Sequence, residues 1–268
     1  MPIVIVRGAG DIASGIIHRL YMSGFKVIAL EIEKPLSIRR TVSFSEAIYD
    51  GETSVEGVKA VFADNVKAAL SILEDENVPV LIDEEGLSIN QIKPVAVIDA
   101  ILAKKNMGTH KNMAPVTVGV GPGFYAGDDV HYVVETQRGH YLGRVIYKGS
   151  AALNSGIPGI IMGYGKERVI KSPQDGLIKH VRKIGDLVNE GDLICYVGDE
   201  EVRASISGVI RGLIRENLYV PNGLKIGDID PRKEIDYAYT ISDKARAVAG
   251  GVLEAILHGL SKGDKNGH

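Results

Sequence analysis

The chain has 268 residues, 45% hydrophobic and 24% charged, with a formal net charge of −3. Those figures exclude wholesale disorder and a fibrous chain, and they leave no global basic field for nucleic acid or anionic lipid. The one cysteine, Cys195, excludes an internal disulfide and any cysteine-rich metal or cluster site. At about 150 residues per domain the length suggests two domains, or one with an insertion. Glycine is the unusual term: 32 residues, with 7 in residues 1–107, 12 in 108–167 and 8 in 168–231.

The opening run Ile3–Arg7 is apolar until Arg7 and reads as a buried strand, not a leader peptide. A helix follows, with Ile12, Ile16, Ile17 and Leu20 on one face and Gly24 as its stop. Residues 27–31 form a second strand. Residues 58–62, 66–73, 80–82 and 96–98 continue as strand, helix, strand and strand, the rhythm of an open sheet with helices on its faces. Residues 116–120 read as a strand and 121–123 as a turn. Residues 131–136 and 140–146 read as a hairpin around Gln137-Arg138-Gly139. No stretch approaches the length of a membrane span, so the expected location is the cytoplasm.

Residues 168–231 repeat with an offset of 32: Gly176 matches Gly208, Ile178 Ile210, Val188 Val220, Gly191 Gly223 and Ile194 Ile226. Ser242 is a good N-cap for a last helix, with Asp243 in its first turn. That helix is expected to return to the first domain, and the tail after Leu260 to fray. The expected fold is therefore α/β: a Rossmann-like open sheet over 1–167, an inserted small β barrel-sandwich over 168–231, and a returning helix within 232–268.

The segment Gly8-Ala9-Gly10-Asp11-Ile12-Ala13-Ser14-Gly15 fits G-x-G-x-x-A directly after a strand. Gly8 would turn the chain, Gly10 would admit a phosphate, and Ala13 would let helix and strand pack closely. Gly15 lies in the same helix start. Glu31, ending the second strand, is placed to accept from a ribose 2′-hydroxyl. Asp11 puts a negative charge on the same helical turn, and Arg39 and Arg40 would suit a 2′-phosphate instead. A tight βα turn with Asp11 as its cap accounts for the same residues without a ligand.

In the middle of the chain Asp129, His131, Glu135, Arg138, His140 and Arg144 gather around two strands. His131 and Glu135 share a face, where two imidazoles and a carboxylate could hold a metal and the arginines an oxyanion. A surface hairpin with cross-strand ion pairs is the favoured alternative for the metal, and none is assigned. Gly121 and Gly123 precede the cluster in a backbone-exposing loop. Asp99 ends a strand, with Lys104 and Lys105 just beyond, where open sheets bind ligands. No catalytic residue is assigned.

Several stretches together resemble one family. They are VRGAGDIASGIIHRL (6–20), EKPLSIRRTVSFSEAIYDG (33–51), VIDAILAKKN (97–106), GVGPGFYAGDDVHYVVETQRGHYLGRVIYKG (119–149), SGVIRGLI (207–214), KIGDIDPR (225–232) and TISDKARAVAGGVLEA (240–255). The chain is similar to the YqeB-type accessory proteins of selenium-dependent molybdenum hydroxylases, which are related to the xanthine dehydrogenase accessory factor. The resemblance implies Rossmann character and a role in maturing a molybdenum hydroxylase as protein partner. The cofactor it handles would be NAD(P) or another nucleotide, or a molybdopterin-type molecule. Self-association is left open. The repeat also resembles biotinyl and lipoyl carrier modules, but no lysine occurs between Lys183 and Lys225 to carry a cofactor. Two other functions are weighed: an NAD(P)-dependent oxidoreductase acting on a small substrate, and a ligand-free docking module.

Overall fold

The computed structural model describes residues 1–154, 156 and 159–265, arranged as two units. The first comprises Met1–Pro35, Ser43–Asn154 and Ile241–His268; the second comprises Leu36–Val42 and Ser155–Thr240.

In the first unit, β1 (Ile3–Arg7), α1 (Asp11–Met22) and β2 (Lys26–Glu31) are followed by a short helix, α2 (Ala47–Asp50). Then come β3 (Glu52–Val55), β4 (Val58–Ala63), α3 (Val66–Glu74), β5 (Val78–Ile82), α4 (Ser88–Ile92) and β6 (Ala96–Asp99). β7 (Val116–Val120), β8 (Tyr132–Val134) and β9 (Val145–Ile146) complete a nine-stranded sheet in the order β3-β4-β5-β2-β1-β6-β7-β8-β9. Strands β4 through β8 run parallel in that order, and β3 and β9 are antiparallel edges.

The central strands are apolar on both sides because helices cover both faces. Ile5, Ile28, Leu30, Leu81 and Val97 share a core with Ala69 and Leu73 of α3 and Ile89 of α4. The last helix, in chain order after the second unit, covers β7, β8 and β9 and packs along α1. It spans Asp243–Lys265 and is capped by Ser242, whose Oγ accepts the Ala245 N–H at 3.1 Å. It therefore continues through Ser261 and beyond, where fraying was expected; residues 266–268 lie outside the described part. No helix among the described residues is long and apolar enough to cross a membrane.

The second unit holds β10 (Val169–Lys171), β11 (Gly176–His180), β12 (Leu187–Val188), β13 (Leu193–Val197), β14 (Glu200–Arg203), β15 (Gly208–Leu213), β16 (Tyr219–Val220) and β17 (Lys225–Asp230). They form two four-stranded sheets, β10-β17-β15-β12 and β14-β13-β11-β16, antiparallel throughout. The offset of 32 carries β11, β12 and β13 onto β15, β16 and β17, so each sheet mixes strands from both copies. Ile178, Ile194, Val209, Ile210, Ile226 and Ile229 fill the core. From Ile241 the chain returns to the first unit, where Asp243–Lys265 forms α5.

The architecture corrects the expected fold class. In place of a Rossmann-like sheet with a biotinyl- or lipoyl-like insert, the chain has a large mixed sheet and a separate pair of antiparallel sheets. Neither the β6–β7 nor the β7–β8 connection contains an α-helix, although both strand pairs are parallel. Such crossovers are usually helical. Here they carry Gly108, Gly121, Gly123 and Gly127 at positive φ, which a helix cannot use, and α5 supplies the cover from the far end of the sequence. The hairpin ladder is also shorter than expected. It ends at Val134 and Val145, because Gly143 donates to the Glu135 carbonyl and Gly139 and Gly143 bend the chain at φ +129° and +82°.

Candidate functional site

Parallel strands β2, β1 and β6 are neighbours, but the chain passes from β1 to β2 on one side and reaches β6 on the other. That reversal opens a crevice at the carboxyl ends of the strands, the usual ligand position in an open α/β sheet. A cleft of about 310 Å³ lies there, lined by Arg7, Gly8, Leu30, Glu31, Ile32, Asp83, Glu84, Glu85, Ile101 and Met107.

Gly8 turns the chain out of β1 at φ +100°, and its N–H donates to the Leu30 carbonyl at 2.7 Å. A Cβ at Gly8 would stand 2.8 Å from the Ala100 carbonyl oxygen, so only glycine fits between the two loops. Glu31 closes the same turn. Its Oε2 accepts the Ala9 N–H at 2.8 Å and its Oε1 the Ile32 N–H at 2.9 Å. Burial raises the Glu31 carboxyl above the ordinary glutamate range, and those two N–H groups act against the rise. Asp83 caps the segment after β5 through Gly86, Leu87 and Ser88. Burial works to raise its carboxyl, but the bonds from Ser88, Leu87 and Gly86 outweigh it and hold the group low. Glu84 and Glu85 are exposed on the rim, which makes the mouth acidic.

Arg7 forms the floor. It is 2% exposed, donates from Nη1 to Thr109 Oγ1 at 2.6 Å and from Nη2 to the Glu84 carbonyl at 2.8 Å, and leaves Nε without a partner. Thr109 Oγ1 donates in turn to Asp99 Oδ2 at 2.6 Å, and Asp99 Oδ1 accepts from the Ile101 N–H. Burial raises the Asp99 carboxyl, while Thr109, Ile101 and Arg7 counter it. Asp99 thus stands behind Arg7 and holds it in place.

The structure brings Gly8 and Glu31 to this crevice, sets Asp99 behind Arg7, and sends other candidates elsewhere. Ala13 is buried in α1, and Gly15 packs against α5: a Cβ there would meet Ala245 Cβ at 2.7 Å. Gly10 precedes α1 without a side-chain cap, and Asp11 opens the helix with a polar partner of its own. Arg39 and Arg40 belong to the second unit. Arg39 donates to the Tyr237 and Thr240 carbonyls at 2.8 Å, and Arg40 to the Leu213 carbonyl at 2.8 Å. Lys104 and Lys105 are exposed, and the Lys105 backbone fills the space beside Gly123. Gly121 packs against Thr136.

The central polar cluster does not converge on one point. His131 Nδ1 accepts the Thr117 N–H at 3.0 Å, and burial, with Lys111 nearby, lowers its imidazole. Glu135 caps Thr136, Gln137 and Ala152. Asp129 accepts from Tyr125, and Arg138 clamps Asp243. His140 and Arg144 flank Tyr141 on the surface. Among the described residues no group of three or more His, Cys, Asp or Glu side chains could hold a metal ion.

Sequence reasoning missed Arg7 and Thr109. Arg7 carried a signal, a charge at the end of an otherwise apolar strand just before the glycine turn. Thr109 carried none, since Arg7, to which it is joined, lies 102 residues away in sequence.

Fold and site together define an α/β protein with a cleft at the carboxyl edge of a mixed sheet. The chain is 51% identical over 263 residues to the uncharacterized protein YqeB of Escherichia coli, covering 98% of this chain and 49% of that protein. That likeness supports kinship with YqeB-type proteins, and the chain spans about half the length of this relative. No family model matches. Among solved structures, the ectoine utilization protein EutE (DoeB) of Ruegeria pomeroyi matches at 12% identity, a TM-score of 0.25, and 84% and 56% coverage of the two chains. A succinylglutamate desuccinylase/aspartoacylase of Rhodobacter sphaeroides matches at 12% identity, a TM-score of 0.28, and 85% and 84% coverage. Likenesses this low carry nothing over to the present site.

Proposed function

We propose that the cleft binds the nucleoside or pterin end of a small cofactor, and that the chain serves in maturing a selenium-dependent molybdenum hydroxylase. The observation that supports the ligand is the carboxylate of Glu31, held by the Ala9 N–H beside the Gly8 turn where the strand order reverses, in a cleft that buried Arg7 also lines. Glu31 spends one N–H contact on each oxygen, and a carboxylate oxygen has a second lone pair to accept a ligand hydroxyl or amine. The acidic rim of Glu31, Glu84 and Glu85 repels phosphate, so the neutral hydroxyl- and amine-bearing end of the ligand belongs here. On that reading a ribose with a free 2′-hydroxyl is preferred to a 2′-phosphate. The maturation role is supported by the sequence resemblance spread along the chain.

Calorimetric titration with NAD, NADP, ATP and molybdopterin tests the reading. Binding of NAD or ATP that is weakened in Glu31→Ala, with NADP weaker than NAD, is expected. Absence of binding by all four would overturn the ligand reading. The maturation role is tested separately, by hydroxylase activity in cells lacking the chain: unimpaired activity would overturn it.

A further inference from the structure

The cleft at the carboxyl ends of β1, β2 and β5 offers two kinds of surface. Its walls are aliphatic: Leu30 and Ile32 at the end of β2, and Ile101 and Met107 from the loop that follows β6. Ile32, Ile101 and Met107 are large and apolar, yet each is exposed. Exposed aliphatic side chains gathered around a concavity gain most from a ligand with flat, apolar faces.

The wall that carries Ile101 and Met107 is fixed in place. Asp99 holds both ends of its loop, accepting the Ile101 N–H on Oδ1 at 3.2 Å and the Thr109 hydroxyl on Oδ2 at 2.6 Å. Within the loop, Asn106 Oδ1 accepts the Gly108 and Thr109 N–H groups at 2.9 and 2.8 Å. A wall held this way costs an arriving ligand little ordering.

The polar surface is one-sided. Arg7 apart, every polar side chain that lines the cleft is a carboxylate: Glu31, Asp83, Glu84 or Glu85. Both Nη atoms of Arg7 are given to Thr109 and to the Glu84 carbonyl. Lys104 and Lys105 belong to the neighbouring loop but do not line the cleft. Asp83 is spent on Gly86, Leu87 and Ser88, and Glu31 is the acceptor assigned above to a ligand hydroxyl. Glu84 and Glu85 stand exposed at the mouth, and their carboxylates can only accept.

An ammonium ligand would lose hydration between aliphatic walls, a cost that a neutral donor avoids. The two oxygens of a carboxylate match two N–H donors set side by side. A 2-amino-4-oxopyrimidine ring presents that pair, its ring N–H and the adjoining amino group. An adenine ring in the same position presents an amino group beside a ring-nitrogen lone pair, which a carboxylate repels.

We propose that the cleft selects a fused 2-amino-4-oxopyrimidine ring, guanine or pterin. The ring lies against Ile32, Ile101 and Met107, with its paired N–H donors on the carboxylate of Glu84 or Glu85. The proposal rests on the nucleoside or pterin reading above and narrows it: adenine nucleosides enter the same cleft more weakly.

The test titrates the whole, unmutated chain with guanosine, inosine, adenosine and 6-hydroxymethylpterin by calorimetry, which needs no variant to fold. Inosine lacks only the 2-amino group, and a hydrogen bond to a charged acceptor is worth about tenfold or more in affinity. Guanosine is therefore expected to bind about tenfold more tightly than inosine, and adenosine no better than inosine. The double variant Glu84→Ala/Glu85→Ala keeps the backbone carbonyl that Arg7 uses. It is expected to erase the guanosine preference without weakening adenosine. Hydroxymethylpterin carries the same edge without a ribose, so tighter binding than guanosine names a pterin as the source, and weaker binding names a nucleoside. Guanosine bound no more tightly than adenosine, or a guanosine preference untouched in the double variant, would overturn the proposal and leave the broader nucleoside or pterin reading standing. Binding of none of the four compounds would overturn that reading, and this proposal with it.

Discussion

Glu31 Oε2 accepts the backbone N–H of Ala9 at 2.8 Å, tying the carboxyl end of β2 to the glycine turn that leaves β1. The bond joins residues 22 apart in sequence and places a carboxylate in the cleft, held by backbone N–H groups. A ligand hydroxyl arriving here meets an acceptor already oriented, at little cost in side-chain ordering.

That arrangement has a pH signature. Burial raises the folded-state Glu31 carboxyl above its unfolded value, and the Ile32 and Ala9 N–H groups only partly offset it. Its protonated form therefore favours folding: the contribution is full below the ordinary glutamate pKa of about 4.3 and is lost as pH rises through the folded-state value. In Glu31→Gln nothing titrates. The stability of the natural chain relative to Glu31→Gln is expected to fall as pH rises from about 4, measured by urea unfolding across the range. A difference that grew with pH would contradict the assignment.

Thr109 links Arg7 to Asp99 inside the sheet edge, accepting at 2.6 Å and donating at 2.6 Å. Thr109→Val keeps the shape and removes both bonds, leaving a buried guanidinium donor and a buried carboxylate oxygen short of partners. A loss of about 1–3 kcal/mol in unfolding free energy is expected. Arg7 should also lose its fixed position, so ligand affinity should fall more than in a Val substitution at a surface threonine such as Thr53.

The helix pair α1 and α5 depends on one missing methyl group. Gly15→Ala would place a Cβ 2.7 Å from the Ala245 Cβ and is expected to cost about 1–3 kcal/mol by overpacking. Ala245→Gly removes that obstacle while costing about 1 kcal/mol of helix propensity itself. The double variant should therefore be more stable than the sum of the two single losses predicts, a coupling read from denaturation midpoints. Strict additivity would mean that the two residues do not touch.

Cys195 lies fully buried in β13, and burial pushes its thiol up to about 12. The thiolate is the reactive form, so at neutral pH the folded chain is expected to resist alkylation by iodoacetamide and to react fully once unfolded. Rapid labelling of the native chain would contradict this.

Much of the local structure was legible in the residues themselves. The apolar run ending at Arg7, the strand at Val116–Val120 and the Ser242 cap all rest on short-range chemistry, and each stands where that chemistry puts it. The offset of 32 was legible as well, because glycine and aliphatic positions recur where β11 to β13 and β15 to β17 need them. The sheet as a whole was not. β3 is a four-residue edge strand of mostly polar residues, and the loops that link β6, β7 and β8 give no pattern that announces parallel neighbours. Those pairings are set by burial against α5, whose partners lie more than a hundred residues away.

The amino-acid order alone determined where β1, α1, β2 and β7 fall, where the glycine turn after β1 lies, and that Glu31 ends β2, since these follow from periodicity, capping and turn chemistry. Only the tertiary structure decided that Glu31 meets Ala9, that Arg7 is buried behind Thr109 and Asp99, and that Arg39 and Arg40 spend donors on carbonyls of the second unit. It also decided that the crowded motif around His131 and Glu135 disperses into separate local bonds. The physical reason is common to all of these. A polar side chain's role is set by whichever partner burial brings within about 3 Å, and such partners are chosen by sheet order and helix packing, not by neighbours in the chain.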